Sequence, residues 1–191
     1  EFAALPRKFK IAVTAAEHDR AAVRVHDIGL HMKKNAAGEI GFEVIVGGGL
    51  GRTPYIGVTI KDWVSQAELL DYLEAIMRVY NLHGRRDNKY KARIKILVNE
   101  LTPEEFTRQV EAEYAAQRDH EKIALPQDEI DRIAAYFAPP AFETLPETSA
   151  AFEEAKAKDE AFAIWAEMNL QPHKVPGYTS VTISLKPLGI A

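Results

Sequence analysis

Three cations fall within four positions at Arg7-Lys8-Phe9-Lys10. On an extended segment, Lys8 and Lys10 point to one face and Phe9 to the other. Two ammonium groups about 7 Å apart on one face of a strand repel each other. They are comfortable when solvent screens them or when an anion sits between them. An adjacent cation also lowers a lysine pKa, which makes it a better proton donor near neutral pH. The plain alternative is a basic strand edge that discourages aggregation.

A second feature is Gly47-Gly48-Gly49-Leu50-Gly51. A run of this kind lets backbone approach something flat or bulky closely. It is not the dinucleotide fingerprint, because Pro54 stands where the last glycine belongs, and no Gly-Lys-Ser/Thr follows to make a phosphate loop. Its plain reading is a connection between elements. The third feature is residues 78–95, where Arg78, Arg85, Arg86, Lys89, Lys91, Arg93 and Lys95 face Asp87 as the single acid of the span. Carboxylates, phosphates or RNA are natural partners for such a stretch, although only Tyr80 and Tyr90 interleave with it. A solvated helix face is the alternative. The histidines at 18, 26, 31, 83, 120 and 173 show no metal-ligating spacing. His26 and Asp27 are expected to form a local pair, and Trp63 and Trp165 to be packing residues.

Composition narrows the classes. The 191 residues are 47% hydrophobic and 27% charged, ordinary globular usage that excludes a disordered chain. Net charge is −4, so nothing global points to nucleic acid. The balance is uneven, however: residues 1–100 are net basic and residues 101–191 net acidic, so anion chemistry belongs in the first half. No apolar run approaches the roughly 20 residues of a membrane helix. Cysteine is absent, which removes disulfides, cysteine nucleophiles and any iron–sulfur cluster ligated from within the chain. That fits a reducing compartment, and a cytoplasmic location is expected. Both ends read as cuts through a larger protein, and the chain is expected to be an internal fragment.

The elements that must position these residues follow from periodicity. Residues 8–16 carry Phe9, Ile11 and Val13 at period two and are expected to form a strand. Residues 23–32 and 40–46 are two further strands joined by a turn at Asn35 to Gly38, an antiparallel hairpin with Phe42, Val44 and Val46 on one face. Residues 47–54 are a loop. A helix is expected from Ser65, with Glu68 completing a capping box, along the stripe Leu69, Leu73, Ile76 and Tyr80 to a stop at Gly84. Thr102 and Pro103 open another helix. Residues 125–137 and 149–168 read as helices on either side of a linker marked by Pro139, Pro140 and Pro146, and residues 177–186 read as a strand. The fold class is α+β, an antiparallel or mixed sheet with helices packed on one side.

The order of these features is more specific than any one of them. Leu5-Pro6-Arg7-Lys8-Phe9-Lys10, a hairpin carrying His26-Asp27, Gly41-Phe42 leading to Val46-Gly47-Gly48-Gly49-Leu50, and then Arg85, Asn88, Lys91 and Arg93 resemble the siroheme-dependent sulfite and nitrite reductases. The resemblance covers residues 5 to about 115. Residues 169–189 resemble the opening strand of that family's second ferredoxin-like half-domain. It implies a partial siroheme and 4Fe–4S reductase domain at 1–125, a helical linker at 126–168 and the start of the next half-domain at 169–191.

The resemblance implies roles as well. Lys8 and Lys10 match the pair that holds the anionic substrate and delivers protons. Arg7 and Arg93 match positions that pair with siroheme carboxylates, and Gly47, Gly48 and Gly49 match the backbone that lies against the macrocycle. The nitrite enzymes carry Asn where this chain has Lys10, so sulfite is the favoured substrate and nitrite the alternative. The family's four cluster-binding cysteines have no counterpart and are expected beyond Ala191. The implied partners are the rest of the parent reductase and a ferredoxin or flavoprotein electron donor, with no membrane partner. The fragment alone is expected to bind no cluster, to bind little siroheme and to be inactive.

Overall fold

The structure, a computed structural model, describes residues 2–117, 123 and 125–185. The chain divides into two compact units, Glu1–Pro126 and Gln127–Ala191.

The first unit is built on one four-stranded sheet of β1 (Ile11–Thr14), β2 (Ile28–Lys34), β3 (Ile40–Val46) and β4 (Val58–Ser65), side by side in that order. β1 runs parallel to β2, and the other neighbours are antiparallel. Alternation gives the sheet one apolar face of Ile28, Leu30, Phe42, Val44, Val46, Ile60 and Val64. Three helices bury it: α1 (Leu69–His83), α2 (Ile94–Leu101) and α3 (Pro103–Ala116). They contribute Tyr72, Ile76, Val79, Tyr80, Ile94, Val98, Phe106 and Val110. The other face is polar: Glu43 accepts from Lys33 Nζ and from Thr59 Oγ1 at 2.7 Å. The expected α+β layering therefore holds.

Several elements depart from expectation for identifiable reasons. The first strand is Ile11–Thr14 and not residues 8–16, and Ile11 and Val13 are half exposed because β1 is an edge strand. Residues 23–25 form a 3-10 turn, its Val23 N–H bound by Asp19 Oδ2 at 2.8 Å, so β2 begins only at Ile28. Ser65 ends β4 instead of opening a helix. Its hydroxyl donates to Glu68 Oε2 at 2.6 Å, and α1 begins at Leu69. Gly84 caps α1, but with φ −67° and not in the left-handed region. It is glycine for space: a Cβ there would lie 2.6 Å from the Tyr80 carbonyl oxygen and 2.7 Å from Pro6. Thr102 caps α3 as expected, accepting from Glu105 N–H at 3.4 Å.

In the second unit, α4 (Gln127–Tyr136) is followed by the proline-marked linker and then by α5 (Ala150–Lys158) and α6 (Glu160–Asn169). The single helix expected over 149–168 is thus two. Asp159 breaks it and caps α6, accepting from Phe162 N–H at 3.1 Å. The strand expected over 177–186 is shorter, β6 (Thr179–Val181), paired antiparallel with β5 (Leu170–Pro172). Its last expected residue, Lys186, lies outside the described residues, as does His120. Among the described residues of this unit only Ala166 is buried. No helix of the described residues is long and apolar enough to cross a membrane.

Candidate functional site

Phe9 sets the direction of its neighbours. Its ring stacks on that of buried Tyr80, centroids 6.1 Å apart and planes 27° apart. With Phe9 turned inward, Lys8 and Lys10 point outward, and both are exposed. Tyr80 also anchors the residue before them. The Arg7 backbone lies beside the Tyr80 hydroxyl, which donates to the Ala92 carbonyl at 2.8 Å. Arg7 is therefore brought next to the residue that precedes Arg93. The side chains of Arg7, Lys8 and Lys10 make no hydrogen bond or ion pair with any described residue.

A second buried hub lies beside the first. Asp27 is 1% exposed, and both carboxylate oxygens are used. Oδ1 accepts from Arg93 Nε at 3.0 Å and Nη2 at 2.8 Å. Oδ2 accepts from the backbone N–H of Lys10 at 3.2 Å, and the Asp27 carbonyl accepts from Gly47 N–H at 3.1 Å. One residue thus ties the basic segment, the glycine loop and the start of α2. His26 is not its partner as expected. The His26 ring bonds the Ala22 carbonyl at 2.9 Å, because the 3-10 turn places that oxygen beneath it.

The glycine loop is shaped from within the chain. Gly47 adopts φ +85°, a left-handed conformation that side chains disfavour. A Cβ on Gly48 would lie 2.3 Å from the Arg24 carbonyl oxygen, and one on Gly49 would lie 2.8 Å from Lys95 Cδ and 3.3 Å from Arg93 Nη2. Gly49 and Tyr55 exchange two backbone hydrogen bonds of 2.9 Å, closing a small hairpin. Lys95, 7% exposed, holds that hairpin from below, donating to the Leu50 carbonyl at 3.2 Å and to the Thr53 carbonyl. Burial, reinforced by the Arg93 cation, lowers the Lys95 ammonium pKa, and Asp27 opposes the shift.

The expected site residues Arg7, Lys8, Lys10, Arg93, Gly47, Gly48 and Gly49 are therefore drawn together by Tyr80 and Asp27. Sequence reasoning missed Asp27 as a hub and Lys95 as a staple. Each is a charge set in apolar sequence, Asp27 just before Ile28 and Lys95 between Ile94 and Ile96. The basic run of residues 78–95 does not act as one free stripe. Arg78 pairs with Glu74 at 2.7 Å and Glu113 at 3.6 Å, and Arg85 with Asp87 at 2.7 Å and Glu100 at 3.8 Å. Arg86 is spent on Asn81 and two backbone carbonyls, and Lys95 is buried. The fold supplies acids that the linear span lacks.

Arg7, Lys8 and Lys10, unpaired among the described residues, suit a ligand bearing several carboxylates or oxyanion oxygens. A thiolate-bound cluster does not fit this chain's residues, since the sequence contains no cysteine.

Comparison with known proteins agrees with the geometry. Residues 1–118 match the family described as nitrite and sulphite reductase 4Fe-4S domain. The chain is 35% identical over 115 residues to an assimilatory ferredoxin-dependent nitrite reductase of Haloferax mediterranei, covering 58% of this chain and 20% of that protein. It is 32% identical over 118 residues to sulfite reductase [ferredoxin] 1 of Mycolicibacterium paratuberculosis, covering 62% and 21%. It spans about a fifth of the length of these curated relatives. The solved structure of Mycobacterium tuberculosis NirA superposes with a TM-score of 0.54 at 27% identity, over 59% of this chain and 20% of that one. The matched stretch contains both hubs and every basic residue they bring together, and by it the chain belongs to the nitrite and sulphite reductase 4Fe-4S domain family.

Proposed function

We propose that this chain is the part of a siroheme-dependent sulfite reductase that presents its basic face to the siroheme carboxylates and to the substrate oxyanion. The observation that carries the reading is the clustering of three cations unpaired among the described residues, Arg7, Lys8 and Lys10, beside Arg93 on a frame of buried hydrogen bonds. Like charges crowded on one face repel, and an anion that meets them relieves that repulsion more than screening by solvent does. Siroheme, when bound, would supply the iron at which sulfite is reduced to sulfide, with the six electrons coming from the parent enzyme's external donor.

The chain's own residues do the rest. Arg7 and Arg93 bind carboxylates. Lys8 and Lys10, on one exposed edge, hold the oxyanion between two ammonium groups, stabilise its charge and donate protons from Nζ as oxygen leaves as water. Lys10 also favours sulfite over nitrite, because sulfite carries the larger charge near neutral pH and the nitrite enzymes resembled here carry Asn at this position. Ferredoxin as electron donor is supported by the names of the two relatives. The alternative of RNA or another polyanion on residues 78–95 is disfavoured, since Arg78, Arg85 and Arg93 are ion-paired and Arg86 and Lys95 are hydrogen-bonded within the fold.

The test is made in the full-length parent enzyme. Lys8→Ala and Lys10→Ala should each lower sulfite turnover by about a hundredfold while the siroheme absorbance per protein stays near the native value. Turnover that survives both substitutions overturns the assignment. Lys10→Asn should shift the ratio of kcat/KM for nitrite over sulfite upward.

A further inference from the structure

Asp27 presents a puzzle that the proposed function leaves open. A buried carboxylate next to an oxyanion site would repel the ligand the site is built to attract. We propose that Asp27 is the positioning residue of the basic face: it aligns Arg93, Lys10 and the glycine loop, while Arg93 cancels its charge so that the incoming anion meets Arg7, Lys8 and Lys10 undiminished.

Three observations carry this. First, Asp27 is almost fully enclosed, and all three of its oxygens are engaged: Oδ1 by Arg93, Oδ2 by the Lys10 N–H and the carbonyl by the Gly47 N–H. A shift of this one residue moves all three segments. Second, Arg93 spends Nε and Nη2 on the same oxygen, which fixes its guanidinium plane and leaves Nη1 without a partner among the described residues. Third, Arg93 is 24% exposed at its side chain while Asp27 is 1% exposed. Arg93 therefore lies between the buried negative charge and the surface, and its guanidinium also packs over Gly49, where a Cβ would come within 3.3 Å of Nη2.

A distinctive electrostatic consequence follows. Removing the Arg93 charge does more than delete one cation, because it uncovers a buried anion under the site. Removing both charges restores the balance. A residue that merely braced the fold would show no such rescue. The identity of the anion rests on the oxyanion reading above, whereas the geometry of Asp27 does not.

The experiment uses the 191-residue chain labelled with nitrogen-15, titrated with sulfite and followed at the Lys10 and Gly47 amide resonances. Arg93→Gln should weaken sulfite binding by about tenfold or more. Adding Asp27→Asn to that variant should bring the affinity back to within about threefold of the native chain, since the uncovered charge is gone. In the parent holoenzyme the same two variants should differ in KM for sulfite far more than in kcat. A double variant that binds sulfite as poorly as Arg93→Gln alone overturns the proposal.

If Arg93→Gln fails to fold, Asp27→Asn alone carries the test. It should strip exchange protection from the Arg93 Nε–H and the Lys10 N–H, and retained protection at both overturns the proposal. If the native chain shows no response to sulfite, yet Asp27→Asn still loses that protection, the oxyanion reading fails and the positioning role stands.

Discussion

Tyr80 carries a proton that the site depends on. Its hydroxyl must donate to the Ala92 carbonyl, with the Arg7 backbone beside it. Burial pushes its pKa up to about 12, the nearby Asp27 charge adds to the shift, and Arg7, Arg93 and Arg86 oppose it. The sign of the linkage is set by the unfolded chain, whose tyrosine ionises near pH 10. Below pH 10 the stabilisation is complete. From pH 10 up to about 12 it drains away at about 1.4 kcal/mol per pH unit, because the unfolded state sheds a proton that the folded state keeps. Urea titrations from pH 9 to 12 should show that loss, and Tyr80→Phe should show a shallower alkaline decline. At this scale, what was readable in the sequence was local. Lys8, Phe9 and Lys10 alternate, and alternation alone sent the two amines one way and the ring the other. Asp27 was not readable as a hub because its cation is 66 positions away, and no local pattern announces such a pair.

The loop of residues 47–57 shows how elements share that work. Its small hairpin rests on two backbone bonds between Gly49 and Tyr55 and on the Lys95 amine beneath. Lys95→Met keeps the length of the side chain and removes both donors to the loop carbonyls. Amide exchange at Gly49 and Tyr55 should then accelerate by at least about tenfold, while the core amides of β3 and α1 keep their protection. Equal acceleration in the core would mean that Lys95 supports the whole unit and not the loop. The β2–β3 hairpin was legible because its apolar positions alternate cleanly around the turn at Asn35. β4 was not, since register shifts between Phe42 and Ile45 break the period: Ile60 and Val64 face the core, but Lys61 lies opposite Val44. Ser65 was misread for a related reason. Its bond to Glu68 has the composition of a helix start, although in this chain it closes the turn out of a strand.

The whole molecule is uneven in what it buries. The first unit holds the core, with Tyr72, Tyr80, Phe106, Ile28, Ile76 and Val110 all essentially inaccessible. The described part of the second unit buries Ala166 alone and leaves Trp165, Ile164 and Met168 at least partly exposed. Ending the chain at Pro126 should therefore leave the urea midpoint of the first unit within experimental error of the full chain, because that unit's core is built from its own sheet and helices. A midpoint that falls sharply would show that residues 127–191 contribute to that stability. The uneven charge of the two halves was legible from composition, and the basic face does lie in the first half. What composition could not show was which cations stay free, since that depends on the acids that α1, α2 and α3 bring to the run of residues 78–95.

Asp27 and Arg93 also bear on the order in which the protein is made. The β2–β3 hairpin can form as soon as residue 46 has left the ribosome, but its preceding carboxylate must wait for a cation 66 positions downstream of it. Synthesis runs at roughly 5–20 residues per second, so the nascent polypeptide spends seconds with an acid at a position meant to be dry. The hairpin's apolar surface cannot close over that acid until α2 emerges, and the platform for the anion is consequently among the last parts of the domain to set.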